Sequence, residues 1–183
     1  KFYITMNTEF KKLKKFWKGK KVFITGHTGF KGSWLVIFLN LLEAKVYGYS
    51  INSSFYLHRI AKLKNLMSGS FSGDVRNYKE LKKTIIRFKH DILIHFAAQP
   101  LVKKSYTDPK NTYDVNVMGT VNILNILNEI KNIKASLIVT TDKVYNNNNS
   151  IKYFKEDDEL GGNDPYSNSK ACADSITNLY NFS

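Results

Sequence analysis

The chain has 183 residues, 43% of them hydrophobic, and a formal net charge of +13. This length supports one sizeable core, no apolar run is long enough to span a bilayer, and the single cysteine, Cys172, excludes an internal disulfide and a zinc cluster. The 28 lysines and arginines are spread along the chain with no nucleic-acid motif beside them, so neither nucleic acid nor a membrane is expected as a partner.

Residues 1–18 read as a leader. Met6 is a plausible start, which would leave residues 1–5 outside the native protein, and Lys11-Lys12-Leu-Lys14-Lys15 marks a solvated helix. The opening residues lack the charged-then-apolar layout of a secretory signal, so a cytoplasmic protein is expected. Lys21–Thr25 is a short β-rich run ending in a glycine turn. A buried helix is expected over Ser33–Leu42 and a second strand over Lys45–Tyr49. Residues 52–67 suggest a loop and a short helix. Ser68–Ser72 suggests a third strand, ending at Gly73-Asp74, and Tyr78–Phe88 an amphipathic helix. Asp91–Phe96 is nearly all apolar, as in a parallel strand covered on both faces. Asn111–Asn132 is expected to be one long helix and Ala135–Thr140 a fifth strand. Asn146–Asn149 and the acidic run Glu156–Glu159 form a polar loop, and a last helix begins near Tyr166 after Asp164-Pro165. Strands alternating with helices imply an α/β, Rossmann-like doubly wound parallel sheet.

Three groups of residues carry chemistry. Gly26, Gly29 and Gly32 stand between a strand and a helix. The first permits the tight turn, the second lets backbone approach a pyrophosphate, and the third lets helix and strand pack closely; amides at the helix N-terminus would bind the phosphates. An acidic ribose reader is absent from Tyr49-Ser50-Ile51-Asn52, and so is an arginine for a 2′-phosphate. NAD and NADP are therefore not separated at this position. Asp74-Val75 fits an adenine border and an ordinary loop aspartate equally well. The second group is Thr141-Asp142-Lys143 at a strand end. The third is Tyr166-Ser-Asn-Ser-Lys170, whose tyrosine and lysine lie one helical turn apart on one face. An ammonium beside a phenol favours the phenolate, a base for a sugar hydroxyl.

With these groups stand Phe16-Trp-Lys-Gly-Lys-Lys-Val-Phe-Ile-Thr-Gly-His-Thr-Gly-Phe-Lys-Gly-Ser-Trp-Leu35, His95-Phe-Ala-Ala-Gln-Pro-Leu-Val102, Ser105-Tyr-Thr-Asp-Pro109, Asn116-Val-Met-Gly-Thr120 and Leu160-Gly-Gly-Asn-Asp-Pro165. Together they resemble the extended short-chain dehydrogenase/reductase family and, within it, the CDP-glucose 4,6-dehydratases. The resemblance runs from about Phe16 to the chain end.

It implies an NAD-binding domain over residues 19–183, with Gly26, Thr28, Gly29, Phe30 and Gly32 at the pyrophosphate and Asp74 and Val75 at the adenine. Ala97, Ala98 and Gln99 would line the cofactor, with Asn116 near the active site. Thr141, Asp142, Lys143, Tyr166 and Lys170 would be catalytic, Tyr166 and Lys170 also touching the cofactor. The implied reaction converts CDP-glucose to CDP-4-keto-6-deoxy-glucose and water, a step of deoxysugar formation for surface polysaccharide. Tyr166 would take the 4-hydroxyl proton, with its pKa lowered by Lys170. Asp142 would protonate the departing 6-hydroxyl, and Lys143 would remove the C5 proton as a neutral amine. Relatives acting on dTDP-glucose place glutamate at the Lys143 position. Alternatives are another nucleotide sugar (GDP-mannose, dTDP-glucose, UDP-N-acetylglucosamine) or a non-catalytic dinucleotide-binding module.

The resemblance further implies a homo-oligomer at full length and a C-terminal substrate-binding region absent from this chain, so the piece alone is expected to be inactive, its parallel sheet left with an unfinished edge. No metal site is expected: His27 and His95 flank strand ends without ligand partners and read as structural. Trp34 reads as a packing residue and Cys172 as a small helix residue. Asn52-Ser-Ser54 and Asn181-Phe-Ser183 match a glycosylation pattern that a cytoplasmic protein would not use.

Overall fold

The computed structural model describes residues 2–51, 55–146 and 153–180, with side chains from residue 8 onward. The elements run α1 Phe2–Trp17, β1 Lys21–Thr25, α2 Phe30–Leu41, β2 Lys45–Ser50, α3 Tyr56–Ile60, β3 Gly69–Ser72, α4 Tyr78–Phe88 and β4 Ile92–His95. They continue with α5 Val102–Thr107, α6 Pro109–Tyr113, a π turn over Asp114–Met118, α7 Gly119–Glu129, β5 Ala135–Ile138, a 3₁₀ turn over Asp142–Val144 and α8 Pro165–Leu179. Asn52, both Asn-x-Ser strings and Asn147–Asn149 lie outside the described residues.

Five parallel strands form one Rossmann-like sheet in the order β3-β2-β1-β4-β5. β1 pairs with β2 from Lys21↔Lys45 to Thr25↔Tyr49, and with β4 from Val22↔Ile92 to Thr25↔His95. The chain order reverses at β1, and open α/β sheets bind ligands at the carboxyl ends of strands at such a point.

The chain forms two compact units. The first comprises residues up to Asp74, Lys79–Phe96 and Asn132–Leu137; the second comprises Val75–Tyr78, Ala97–Lys131 and the residues from Ile138 on. The first unit is centred on Val22, Phe23, Ile24, Val46 and Leu93, all fully buried. Asp91 staples its far end: its carboxylate accepts from Lys21 N (2.9 Å) and pairs with Lys134 Nζ (2.9 Å), while its carbonyl accepts from Lys134 N (2.8 Å). Those hydrogen bonds and the lysine hold the Asp91 carboxyl below its ordinary value. In the second unit α8 is started by Asp164, whose carboxylate accepts from Ser167 N (2.9 Å) and Ser167 Oγ (2.6 Å), with Pro165 in the first turn.

Several expectations are corrected. The helix after the glycine turn starts at Phe30 rather than Ser33 and is only half buried. Gly32, Ser33, Val36 and Leu39 face inward, while Phe30, Trp34, Phe38 and Leu41 are exposed. Trp34 therefore does not pack in the core; with Phe30, Leu35, Phe38 and Phe96 it lines an open apolar groove. The expected helix over Asn111–Asn132 begins earlier, at Pro109, because Asp108 caps it by accepting from Asn111 N (3.2 Å). It is also widened at Asp114–Met118, and α5 precedes it without having been expected. β5 ends at Ile138 rather than Thr140, and it is exposed along Ala135–Leu137.

Candidate active site

In the first unit the glycine turn links β1 to α2. Gly26 has φ +73°, a conformation glycine adopts without strain. A Cβ at Gly32 would lie 2.3 Å from Gly26 O and 2.7 Å from His27 Cα, so only glycine lets α2 start this close to the turn. Gly29 caps α2 with no side-chain hydrogen bond, which leaves the first-turn amides to an anion. This cradle fits the pyrophosphate of NAD.

His27 pins the turn. Its ring is buried, with Nδ1 3.0 Å from Ser50 Oγ and Nε2 2.8 Å from Ser70 Oγ. Burial first, then the neighbouring His58, push its pKa down to about 4, against a smaller upward pull from the Tyr49 backbone. It is thus a neutral imidazole tying the turn to the end of β2 and to Ser70 within β3. His95 is buried likewise, its Nδ1 2.6 Å from Thr25 Oγ1. Among the described residues no cluster of His, Cys, Asp and Glu could hold a metal ion.

Ser50, at the end of β2, occupies the position where a ribose-reading carboxylate was sought, and it is buried. Thr28 N reaches its hydroxyl at 3.4 Å. Thr28 is half-buried and Phe30 exposed, its ring edge-on to Phe55 at 5.4 Å. Asp74 is half-buried, and its carbonyl accepts from Tyr49 Oη (3.3 Å).

In the second unit Val75 is buried, and its carbonyl accepts from Asn122 Nδ2 (3.0 Å). Ala97 and Ala98 are half-buried. Gln99 and Asn116 are both buried. Gln99 N donates to Asn116 Oδ1 (2.7 Å), and Asn116 Nδ2 donates to Gln99 O (3.2 Å) and Ser169 Oγ (2.9 Å). The Gln99 amide group folds back onto Leu101 N (2.7 Å) and Thr112 Oγ1 (3.0 Å). Gln99 thus braces its own loop instead of projecting a free side chain. Thr112 and Ser169 were missed, since isolated buried hydroxyls leave no periodic mark in a sequence.

The expected catalytic residues Thr141, Asp142, Lys143, Tyr166 and Lys170 all lie in this unit. Thr141 stands beside the Tyr166 phenol, whose pKa its side chain lowers, and Thr141 Oγ1 donates to Asp142 Oδ1 (2.9 Å). Thr141 also caps the 3₁₀ turn, accepting from Lys143 N (3.4 Å). Lys170 is buried and donates from Nζ to Val139 O (2.8 Å).

Two features differ from expectation. Tyr166 sits above the ordinary phenol value rather than below it: burial raises it most, the Thr141 hydrogen bond lowers it, and Asp142 and Asp164 add to the rise. Lys170 is directed to a carbonyl and does not offset that burial. Asp142 and Lys143 are exposed rather than buried.

The GDP-mannose 4,6-dehydratase family profile matches residues 23–183. A CDP-glucose 4,6-dehydratase from Salmonella typhimurium is 46% identical over 169 residues, covering 91% of this chain and 47% of that protein. The human dTDP-D-glucose 4,6-dehydratase is 31% identical over 168 residues, covering 88% and 47%. The crystal structure of dTDP-glucose 4,6-dehydratase from Bacillus anthracis in complex with NAD superposes with a TM-score of 0.74 at 29% identity, covering 88% of this chain and 50% of that one. An epimerase from Methanothermobacter thermautotrophicus shares the fold, with a TM-score of 0.80 at 22% identity. The chain spans about half the length of the curated relatives it matches.

Proposed function

The chain belongs to the nucleotide-sugar dehydratase family represented by GDP-mannose 4,6-dehydratase, and on that premise we propose that it is the cofactor-binding and catalytic part of an NAD-dependent CDP-glucose 4,6-dehydratase. The observation that carries this reading is that Thr141 stands next to the Tyr166 phenol and donates to Asp142 Oδ1. This places a prospective base and a prospective acid in one compact unit. The 46% identity to the Salmonella enzyme, against 31% to the human dTDP-glucose enzyme, favours CDP-glucose as substrate.

Gly26, Gly29 and Gly32 would hold the NAD pyrophosphate, with Thr28 and Phe30 in the same turn, Asp74 and Val75 at the adenine, and Ala97–Gln99 and Asn116 along the cofactor. Bound NAD would supply the hydride acceptor for C4 and the donor for C6. Tyr166 would take the 4-hydroxyl proton, and Thr141 would hold the phenol in line. Lys170, beside its Val139 carbonyl, would bind the nicotinamide ribose and add positive charge near Tyr166. The 4-keto group acidifies the C5 proton, which Lys143 would remove while Asp142 protonates the departing 6-hydroxyl. Because both are exposed, the sugar itself would exclude water from them.

The test offers CDP-, dTDP-, UDP- and GDP-sugars to the full-length protein with NAD and measures loss of water by mass spectrometry. Dehydration of CDP-glucose ahead of the others supports the reading; preference for a different nucleotide overturns the substrate assignment.

A further inference from the structure

We propose that Ser169 is a positioning residue for the Tyr166 chemistry, acting with Asn116 to hold Tyr166 and the loop after β4 in one frame; this rests on the dehydratase reading above. Ser169 is fully buried within α8, three residues after Tyr166. A serine costs helix stability relative to alanine, and a buried one needs both its hydrogen-bonding capacities met. Here they are met in one way only. Asn116 Nδ2 can only donate, so at 2.9 Å it fills a lone pair of Ser169 Oγ. The hydroxyl proton is then directed to Tyr166 O at 2.7 Å.

Tyr166 lies in the first turn of α8, where backbone amides have no partner within the helix and the chain is held least. The Ser169 hydroxyl adds a side-chain hydrogen bond to the Tyr166 carbonyl and so ties the Tyr166 backbone to a fixed point. A serine bonded back to a carbonyl one turn earlier also bends a helix slightly. The fixed point is Asn116, whose side chain makes three hydrogen bonds: Oδ1 accepts from Gln99 N and Nδ2 donates both its hydrogens, to Gln99 O and Ser169 Oγ. The π turn carries Asn116, and the Asn116 carbonyl is met by Thr120 Oγ1 at 2.7 Å. Such a buried, hydrogen-bonded network is rigid, and its members act together. Three segments are therefore locked to one another: the loop Ala97–Gln99, the π turn and the start of α8.

The experiment compares Ser169→Ala, Asn116→Ala, the double variant and Ser169→Thr in the full-length protein, reading dehydration kinetics and amide hydrogen exchange. Misplacing a catalytic base by a fraction of an ångström costs rate far more than binding. Ser169→Ala should lower kcat about tenfold with KM for the nucleotide sugar changed by less than about twofold. The double variant should lose little more than Asn116→Ala alone, and Ser169→Thr, which keeps the hydroxyl, should recover most of kcat. In Ser169→Ala the amides of residues 97–101 and 165–170 should lose protection together. Wild-type kcat in Ser169→Ala, strictly multiplicative losses in the double variant, or faster exchange confined to α8 would overturn the proposal. The exchange measurement keeps the proposal testable if the wild-type protein dehydrates no nucleotide sugar, a result that counts against the dehydratase reading alone.

Discussion

Replacing His90 with phenylalanine should make the protein markedly less sensitive to acid. His90 lies between α4 and β4 and is 1% exposed, its ring centroid 4.8 Å from Phe23, 5.0 Å from Tyr47 and 6.0 Å from Phe88. Neither ring nitrogen has a hydrogen-bond partner. Burial first and Lys21 second push its pKa down from 6.5 to about 4, against a smaller upward pull from Asp91. The folded value lies below the unfolded one, so the neutral ring's contribution is fully present above pH 6.5 and is lost as pH falls from 6.5 through about 4. A separation of about 2.5 units corresponds to about 3 kcal/mol in total, of which about 2 kcal/mol is gone by pH 5. Phenylalanine cannot take up that proton. It also removes two unpaired buried nitrogens, worth about 1–2 kcal/mol at any pH. In thermal melts, His90→Phe should therefore exceed the wild-type Tm modestly at pH 8 and by about 4–8 °C more at pH 5. An advantage that stays the same at pH 5 and pH 8 would refute the reasoning, because it would mean that His90 is already charged or solvated in the folded state.

The remaining predictions concern the site. Gly32→Ala puts a methyl 2.3 Å from Gly26 O, so calorimetry should show NAD affinity reduced at least tenfold and melts a loss of about 1–3 kcal/mol. Thr141→Val removes the hydrogen bond that lowers the Tyr166 pKa, so the acidic limb of kcat/KM should move to higher pH. Asp164→Asn keeps a capping oxygen but removes a negative charge that raises that pKa, so the same limb should move to lower pH; limbs moving together in one direction would contradict the assigned causes.

The sheet was largely legible because its signals are local. Lys21–Thr25 and Tyr78–Phe88 were expected with the bounds they have, since an apolar run before a glycine turn and an apolar stripe at helical spacing each bury one defined face. Gly26 and Gly32 were readable for the same reason: the close approach they permit depends on a few neighbouring residues. The break at Asp114–Met118 was not readable, because Asn116 is drawn inward by Gln99 and Ser169, partners 17 and 53 residues away. α5 escaped because Val102–Thr107 has no apolar period. The half-exposed state of α2 escaped for the opposite reason: a helix apolar on every face does not say which face finds a partner. At the site, residue types and spacing put Tyr166 with Lys170, but spacing could not say that Lys170 Nζ donates to Val139 O or that burial dominates the phenol.

The central claim is an internal redox dehydration dependent on Tyr166. CDP-glucose deuterated at C4, incubated with the full-length protein and NAD and analysed by mass spectrometry and proton NMR, tests it most directly. The account predicts a product lacking one water, with the deuterium at C6 and no net reduction of NAD, and no such product from Tyr166→Phe. Deuterium lost to solvent, or undiminished dehydration by Tyr166→Phe, would contradict it.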